Sequence, residues 1–492
     1  MRLESYYVEE SLCSPTRTAL LSGRYAYTIG QSEDVIVDGQ CCDLPLNLLT
    51  IADHFSRGGW NTSAYGKWDA RGWRRGARLL LVHAAGSSAF SRRCLPLVIG
   101  APQLTLPRCF RRHFSGFYSA ASDYWTHRVG AGYDYHSDFD IDPLVDTVHT
   151  TLTVTSAVQA WVAAQIAALS SAKTFAYVAH EAVHAPLEVP ASYVNEECLA
   201  LVPASHPTRQ IYCGMVRAVD EPVLNITQTY EKLGILDDTL IVLTTENGGI
   251  PTDGGNNYPL RGNKATPFEG GVRGLAFVSG AGLAPSVRGT VSHGFMHVVD
   301  WLPTLVGGMA GLDVGASDAH GRSYPTCSQS VVRLDGINLW RMLSLGVPNA
   351  RKEALLHLQA ATFAGSRLLI NTTIAGNGAI RVDEGKRKWK LLHGHQVGLD
   401  KMTAGVVGTT CTARTGYGSD PGNKSWPRLP WSANESTPWC PFGWTPPPRS
   451  DGKAELPRWP ADVDCTELPC VIPADSGKQK MQSACLRLGI LS

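Results

Sequence analysis

The feature that most restricts what this chain can fold into is a repeated order, a long helical pattern feeding a short β-branched strand. Val158, Trp161, Val162, Gln165 and Leu169 fall along one helical face and lead into TFAYVAH, Thr174 to His180. The stretch IYCGMVRAVDEPVLNITQTYEKLG reads as a helix closing at Gly234, and TLIVLTT, Thr239 to Thr245, follows as a core strand. This alternation predicts an α/β sheet with helices on both faces. Pro222 removes a hydrogen bond inside the second helix, so a kink or a late helix start is expected there. Both strands run out into polar residues, His180 to His184 and Glu246 with Asn247. Open α/β sheets bind ligands at such strand ends, which is where a site is expected.

At 492 residues the chain is long enough for a large unit and a smaller one. We place the first at 1–345 and the second, β-rich, at 346–492, where GSRLLINTT and RKWKLLHG give shorter strand-like pieces. Its tail from Pro421 is rich in Pro and Trp, and cysteines from Cys411 to Cys485 suggest disulfide-stapled loops. Lys and Arg number 44 against 43 Asp and Glu, so no single-sign field argues for nucleic acid or an anionic membrane as partner. No apolar run is long enough to span a bilayer. Thirteen cysteines, with Asn-x-Ser/Thr sequons at Asn61, Asn225, Asn371, Asn423 and Asn434, fit a secretory route, extracellular or lysosome-like. The opening MRLESYYVEE lacks the apolar core of a signal peptide, so the natural start is expected upstream. One segment, 70–122, stands apart: it carries Arg at every charged position and no Lys, Asp or Glu, where a solvated loop mixes both signs. We read it as an insertion or translated non-coding stretch rather than an RNA-binding arm, because aromatic residues are not interleaved at regular spacing.

Four separated motifs carry the chemistry. In CSPTRTALLSGRY, Arg17 lies one helical turn after Cys13, on the same side of a helix whose N-terminus favours anions. Taken alone, Cys13 would read as a buried cysteine opening an ordinary helix. YGKW supplies Lys67, a fixed positive charge. HEAVHAPLEVP supplies His184 at a strand end, where imidazole titrates near neutral pH. The segment TTENGGIPTDGGNNYPLRGNKATPFEGGVRG supplies Glu246 and Asn247, hard oxygen donors suited to a divalent cation, and Lys264. Asp69, after Trp68, stays outside the catalytic set, because a carboxylate donates no proton at neutral pH unless burial raises its pKa.

Together these motifs resemble the type I, formylglycine-dependent sulfatases over most of Leu3 to about Gly394, and the GGNNYPLRGNK loop is most similar to the arylsulfatase B-like branch, the N-acetylgalactosamine-4-sulfatases. The resemblance implies an alkaline-phosphatase-like α/β sandwich: a mixed central sheet flanked by helices, plus a small C-terminal domain with an antiparallel sheet. It implies that a formylglycine-generating enzyme oxidises Cys13 to an aldehyde whose hydrate attacks sulfur, and that the resulting sulfated hemiacetal collapses with release of sulfate. Lys67 and Lys264 would clamp the sulfate, His184 would move protons, and Arg17 would steady the aldehyde hydrate. One Ca²⁺ ion would be held by the modified Cys13, Glu246 and Asn247. Family members also carry two adjacent aspartates on an earlier strand; this sequence begins past that strand, and Glu246 stands where they carry Asp. The implied reaction is hydrolysis of an aryl sulfate or a sulfated sugar. Two alternatives stay open: a degenerate, non-catalytic relative, and a phosphodiesterase or phosphonate hydrolase of the same superfamily.

Overall fold

The computed structural model describes residues 1–32, 35–36, 44–45, 48–70, 113–138, 140–314, 333–359, 377–384, 387–393 and 462–463. The helix-then-strand order appears where the sequence puts it. Thr150–Ala168 forms a helix whose Val154, Val158, Trp161 and Val162 are buried, and it feeds the strand Thr174–Ala179. Leu169 lies past the helix as its C-cap and is exposed, so the apolar face ends one turn earlier than the periodicity suggests. The second helix runs Pro207–Lys232, straight through Pro222, and leads to the strand Leu240–Thr244. It therefore has no late start: Pro222 is buried, and packing of this helix against Thr150–Ala168 outweighs the missing hydrogen bond. A disulfide joins Cys198 to Cys213 and ties the short Glu196–Leu201 helix to the long one.

Among the described residues the mixed sheet comes in two parts. One runs in the order Asp140–Ile141, His136–Ser137, His113–Phe117, Asn61–Lys67, Thr174–Ala179, the last three parallel. The other runs Leu240–Thr244, Ala276–Gly280, Arg2–Leu3, Val291–Ser292. Thr174–Ala179 and Leu240–Thr244 thus lie at sheet edges, and their side chains are mostly half-buried rather than enclosed. The strand His113–Phe117 belongs to the stretch read above as foreign, yet it pairs in register with Asn61–Lys67 and buries Phe114 and Phe117. Regular structure resumes there because HFSGF combines two Phe residues with small Ser and Gly between them, suited to a buried strand. Residues 71–112 lie outside the described residues, as do the cysteines from Cys411 to Cys485 and the GSRLLINTT piece.

Glu353–Gln359, Asn377–Glu384 and Arg387–His393 form the expected antiparallel sheet, joined by Asp462–Val463. Its Leu355, Leu356, Ile380 and Leu392 share one core with Tyr6, Tyr7, Val298 and Trp301. Burying each such side chain contributes ~1.5–3 kcal/mol, so the C-terminal sheet is welded to the larger part through apolar area. One of its residues, His357, meets the carboxylate of Glu10, three positions before Cys13.

Candidate active site

Cys13 opens the helix Cys13–Ser22, and its N-cap, Leu12, supplies no side-chain cap. Glu10 and Ser11, just before it, sit in the left-handed backbone region at φ 58° and 51°. Such residues persist only where surroundings over-determine them, at a cost of ~1–3 kcal/mol each. Here the surroundings do so. Glu10 N donates to Leu356 O at 2.9 Å, Leu358 N donates to Glu10 Oε1 at 2.7 Å, and Ala265 N donates to Ser11 O at 3.0 Å. The turn that delivers Cys13 is thereby fixed both to the C-terminal sheet and to the loop carrying Lys264. Pro15 falls in the first helical turn, where its missing N–H costs nothing.

Lys67 arrives from the end of Asn61–Lys67 through Gly66, whose φ is +79° and whose position for a Cβ would lie 2.1 Å from Ala179 O. Only glycine allows that approach, which explains the Gly of YGKW. Lys67 is 1% exposed, and its Nζ lies 3.5 Å from Asp69 Oδ2 and 3.7 Å from Glu246 Oε1, without a hydrogen-bond partner. Burial opposes its charge, but the thiol of Cys13, Glu246 and Asp69 outweigh burial and keep it protonated.

Lys264 makes the link the motifs imply. Its Nζ donates to Cys13 Sγ at 3.1 Å and lies 3.1 Å from His184 Nε2, while Asn247 Oδ1 is 3.9 Å from Cys13 Sγ. His184 Nδ1 lies 2.7 Å from Ala185 O, an atom that only accepts, so Nδ1 carries the proton and Nε2 presents a lone pair. Burial, then Lys264 and Lys67, push the His184 pKa down to about 3. Of the two proton roles expected for His184, this arrangement suits the acceptor. Burial and Glu246 push the Cys13 thiol up against the pull of Lys264 and Lys67, so the unmodified thiol stays protonated and is a poor nucleophile.

Arg17 reaches across to neighbouring strand ends. Its Nη1 donates to Lys67 O at 2.8 Å and to Tyr177 OH at 3.2 Å, and its Nε lies 2.5 Å from Glu246 Oε2 without hydrogen-bond alignment. It ties the end of the Asn61–Lys67 strand to Tyr177 and Glu246. Burial works against ionisation of Glu246, but Arg17, Lys67 and Lys264 hold it well below the usual carboxylate range.

Every residue singled out from the sequence, Cys13, Arg17, Lys67, His184, Glu246, Asn247 and Lys264, therefore meets in one place. Sequence reasoning passed over others. Asp69, set aside above, is 1% exposed at φ 47°, accepts from Ser14 Oγ at 2.8 Å and faces Lys67. Burial raises its pKa, with Lys67 and Arg17 pulling the other way. Glu181, inside the HEAVHAPL motif, is buried, accepts from Ser122 N at 2.6 Å, and has a pKa raised to about 8 by burial. Its place between two histidines in a motif was the signal available for it.

Ca²⁺ takes about six to eight oxygens. Among the described residues no three His, Cys, Asp or Glu side chains converge as a metal cage. The carboxylate expected to bind a cation, Glu246, is already neutralised by Arg17 and Lys67, and the nearby Asn247 amide donates through Nδ2 to Gly248 O at 2.8 Å. Cys13, Glu246 and Asn247, the donors read from the sequence, lie together but number fewer than the oxygens Ca²⁺ takes, and Glu246 is shared with Arg17 and Lys67.

A family model described as Sulfatase matches residues 1–312. Arylsulfatase J of Mus musculus is 28% identical over 411 residues, covering 80% of this chain and 58% of the relative. Arylsulfatase A of Homo sapiens is 26% identical over 326 residues, covering 62% of this chain and 56% of the relative, so the chain spans less than two thirds of the length of either. The crystal structure of Ps i-CgsB superposes with a TM-score of 0.58 at 22% identity, covering 80% of this chain and 75% of that one. The putative sulfatase yidJ from Bacteroides fragilis gives 0.52 at 14%, covering 82% and 84%. On a family model that matches more than half of its length, and with the fold shared by these structures, the chain belongs to the sulfatase family.

Proposed function

We propose that this protein hydrolyses sulfate monoesters, aryl sulfates or sulfated sugars, at the pocket around Cys13. The observation that carries this reading is the position of Lys264 Nζ, 3.1 Å from both Cys13 Sγ and His184 Nε2. A cation, a candidate nucleophile position and a proton acceptor are thereby presented to one reacting group. Cys13 is the only free cysteine among the described residues, and its protonated thiol suits modification better than direct attack. As formylglycine, the oxidised Cys13 would supply an aldehyde hydrate as the nucleophile. Lys67 and Lys264 bind the sulfate oxygens and stabilise charge as the ester bond breaks. His184 Nε2 accepts a proton. The similarity to arylsulfatases J and A supports this chemistry, and the GGNNYPLRGNK loop supports the arylsulfatase B-like branch. A secretory route, including maturation by a formylglycine-generating enzyme, is supported by the Cys198–Cys213 disulfide. No helix of the described residues is long and apolar enough to cross a membrane.

A second reading, a non-catalytic binder of sulfated ligands, is favoured by one observation: Glu246 is engaged by Arg17 and Lys67. Peptide mass spectrometry at Cys13, combined with turnover of 4-nitrophenyl sulfate by protein made in a formylglycine-competent host, separates the two. Aldehyde with turnover is expected. Aldehyde without turnover selects the binder, and an unmodified Cys13 in that host contradicts the mechanism.

A further inference from the structure

Lys264 and Cys13 come from distant parts of the chain, yet Lys264 Nζ lies 3.1 Å from Cys13 Sγ, and both residues are tied to the C-terminal sheet. On the Cys13 side the tie is Glu10, held by the strand Glu353–Gln359 through Leu356 O and Leu358 N. On the Lys264 side it is Glu269, five positions after Lys264, which opens the short helix Glu269–Val272. Lys390, from the strand Arg387–His393, donates from Nζ to Glu269 Oε1 at 2.9 Å, and Tyr7 OH donates to Glu269 Oε2 at 2.7 Å. Both oxygens of this carboxylate are therefore committed, and Lys390 is buried. The residues after Glu269 grip the Lys264 loop through backbone. Gly270 N donates to Arg261 O at 2.6 Å, and a Cβ on Gly271 would lie 2.2 Å from Thr266 O and 2.5 Å from Asn263 O, which bracket Lys264. A shift of Glu269 is thus passed on to Lys264. As a source of stability such a buried pair is replaceable, since apolar groups of the same volume often do as well. What a charged pair with a further hydrogen bond fixes is distance and direction.

We propose that Lys390 and Glu269 are positioning residues for the pocket: through the Gly270–Gly271 backbone they hold Lys264 Nζ in reach of the group that residue 13 presents. The inference rests on the sulfate-ester reading of the same pocket and adds that the C-terminal sheet sets its rate. Lys264 touches the reacting group; Lys390 and Glu269 act through it.

The test is a double-mutant cycle on kcat for 4-nitrophenyl sulfate, run on the full 492-residue chain made in a formylglycine-competent host, with rates taken per formylglycine-containing molecule. The paired replacement of Lys390→Met with Glu269→Gln removes both charges at similar volume. It should lower kcat about 10- to 100-fold, the scale of a misplacement near ~1 Å, while the unfolding midpoint stays close to the parent's. In a Lys264→Ala background the same replacement should change kcat less than about twofold, because the group it positions is gone. Should the paired replacement not fold, Glu269→Asp, which keeps the charge and draws the carboxylate back by one methylene, carries the same two expectations. An equal fractional loss in both backgrounds, or no loss in either, overturns this proposal and leaves the sulfate-ester reading standing. Absence of turnover in the parent chain overturns the two together.

Discussion

Two buried arginines each meet a carboxylate, and they are left in opposite states. Arg351 is saturated: Nε donates to Asp300 Oδ2 at 2.7 Å, Nη2 to Asp300 Oδ1 and to Asp335 O, and Nη1 to Glu353 O at 2.8 Å. Asp300 accepts further from His297 N and Ile337 N, both at 2.9 Å. Arg17 meets Glu246 in the pocket, but around that contact Lys67 Nζ, Asp69 Oδ2, Glu246 Oε2 and Arg17 Nε itself lack a geometrically sound hydrogen bond. Burying charge is costly in both places. Where the charge serves architecture, every donor and acceptor is matched; where it serves a ligand, some are left for the ligand to match. The same residue types therefore separate a structural ion pair from a functional one by what remains unmet.

Removing one member of the saturated pair gives the largest effect. Asp300→Ala should destabilise by ~3–5 kcal/mol in urea unfolding, because Arg351 is then a buried charge without its partner. A loss under ~1 kcal/mol would break the comparison, since the pair would then be no more structural than a surface one. In the pocket the expectation reverses. Lys264→Ala should cost ~100- to 1000-fold in kcat on a sulfate ester while leaving the unfolding midpoint unchanged or higher, because one of several mutually repelling cations is gone. A drop in stability matching that of Asp300→Ala would place Lys264 in the architecture instead.

The smallest effect concerns Glu181, a buried carboxylate that feels the charge of Lys67. Its folded pKa, about 8, lies above the ordinary glutamate value of 4.5, so between these pH values the folded state holds a proton that the unfolded chain has released. Its stabilising contribution is complete below pH ~4.5 and is lost as pH rises through about 8. Glu181→Gln should remove this part of the slope, at most ~1.4 kcal/mol per pH unit. An unchanged stability profile in that variant would show that Glu181 does not titrate in this window.

How much of this was legible follows from where each signal sits. Cys13, Lys67 and Glu246 could be read because each belongs to a local motif at or just past an element end, and His184 and Lys264 because each belongs to a distinctive loop motif. Their partners are set by long-range packing and were not legible. Tyr177 looks like any strand residue until Arg17 Nη1 donates to its hydroxyl, and Asp69 is drawn in by a left-handed turn that no local pattern announces. Glu246 reads as a metal ligand by residue type, and its approach to Arg17, distant in sequence, is set by the fold. Pro222 shows the same override in the fold, since tertiary packing carries the helix through a residue that propensity would place at its start. The Cys198–Cys213 pairing across 15 residues had no spacing signature either.

The central claim, that the pocket with unmet charge is a sulfate-ester hydrolase acting through Cys13, is tested most directly by comparing rates on 4-nitrophenyl sulfate. The protein and its Cys13→Ala variant would be made in a formylglycine-competent host and matched for unfolding temperature, with 4-nitrophenyl phosphate as the control substrate. The account predicts sulfate-ester hydrolysis that Cys13→Ala abolishes, and far slower phosphate hydrolysis. Equal hydrolysis by the two proteins, or a preference for the phosphate ester, would contradict it.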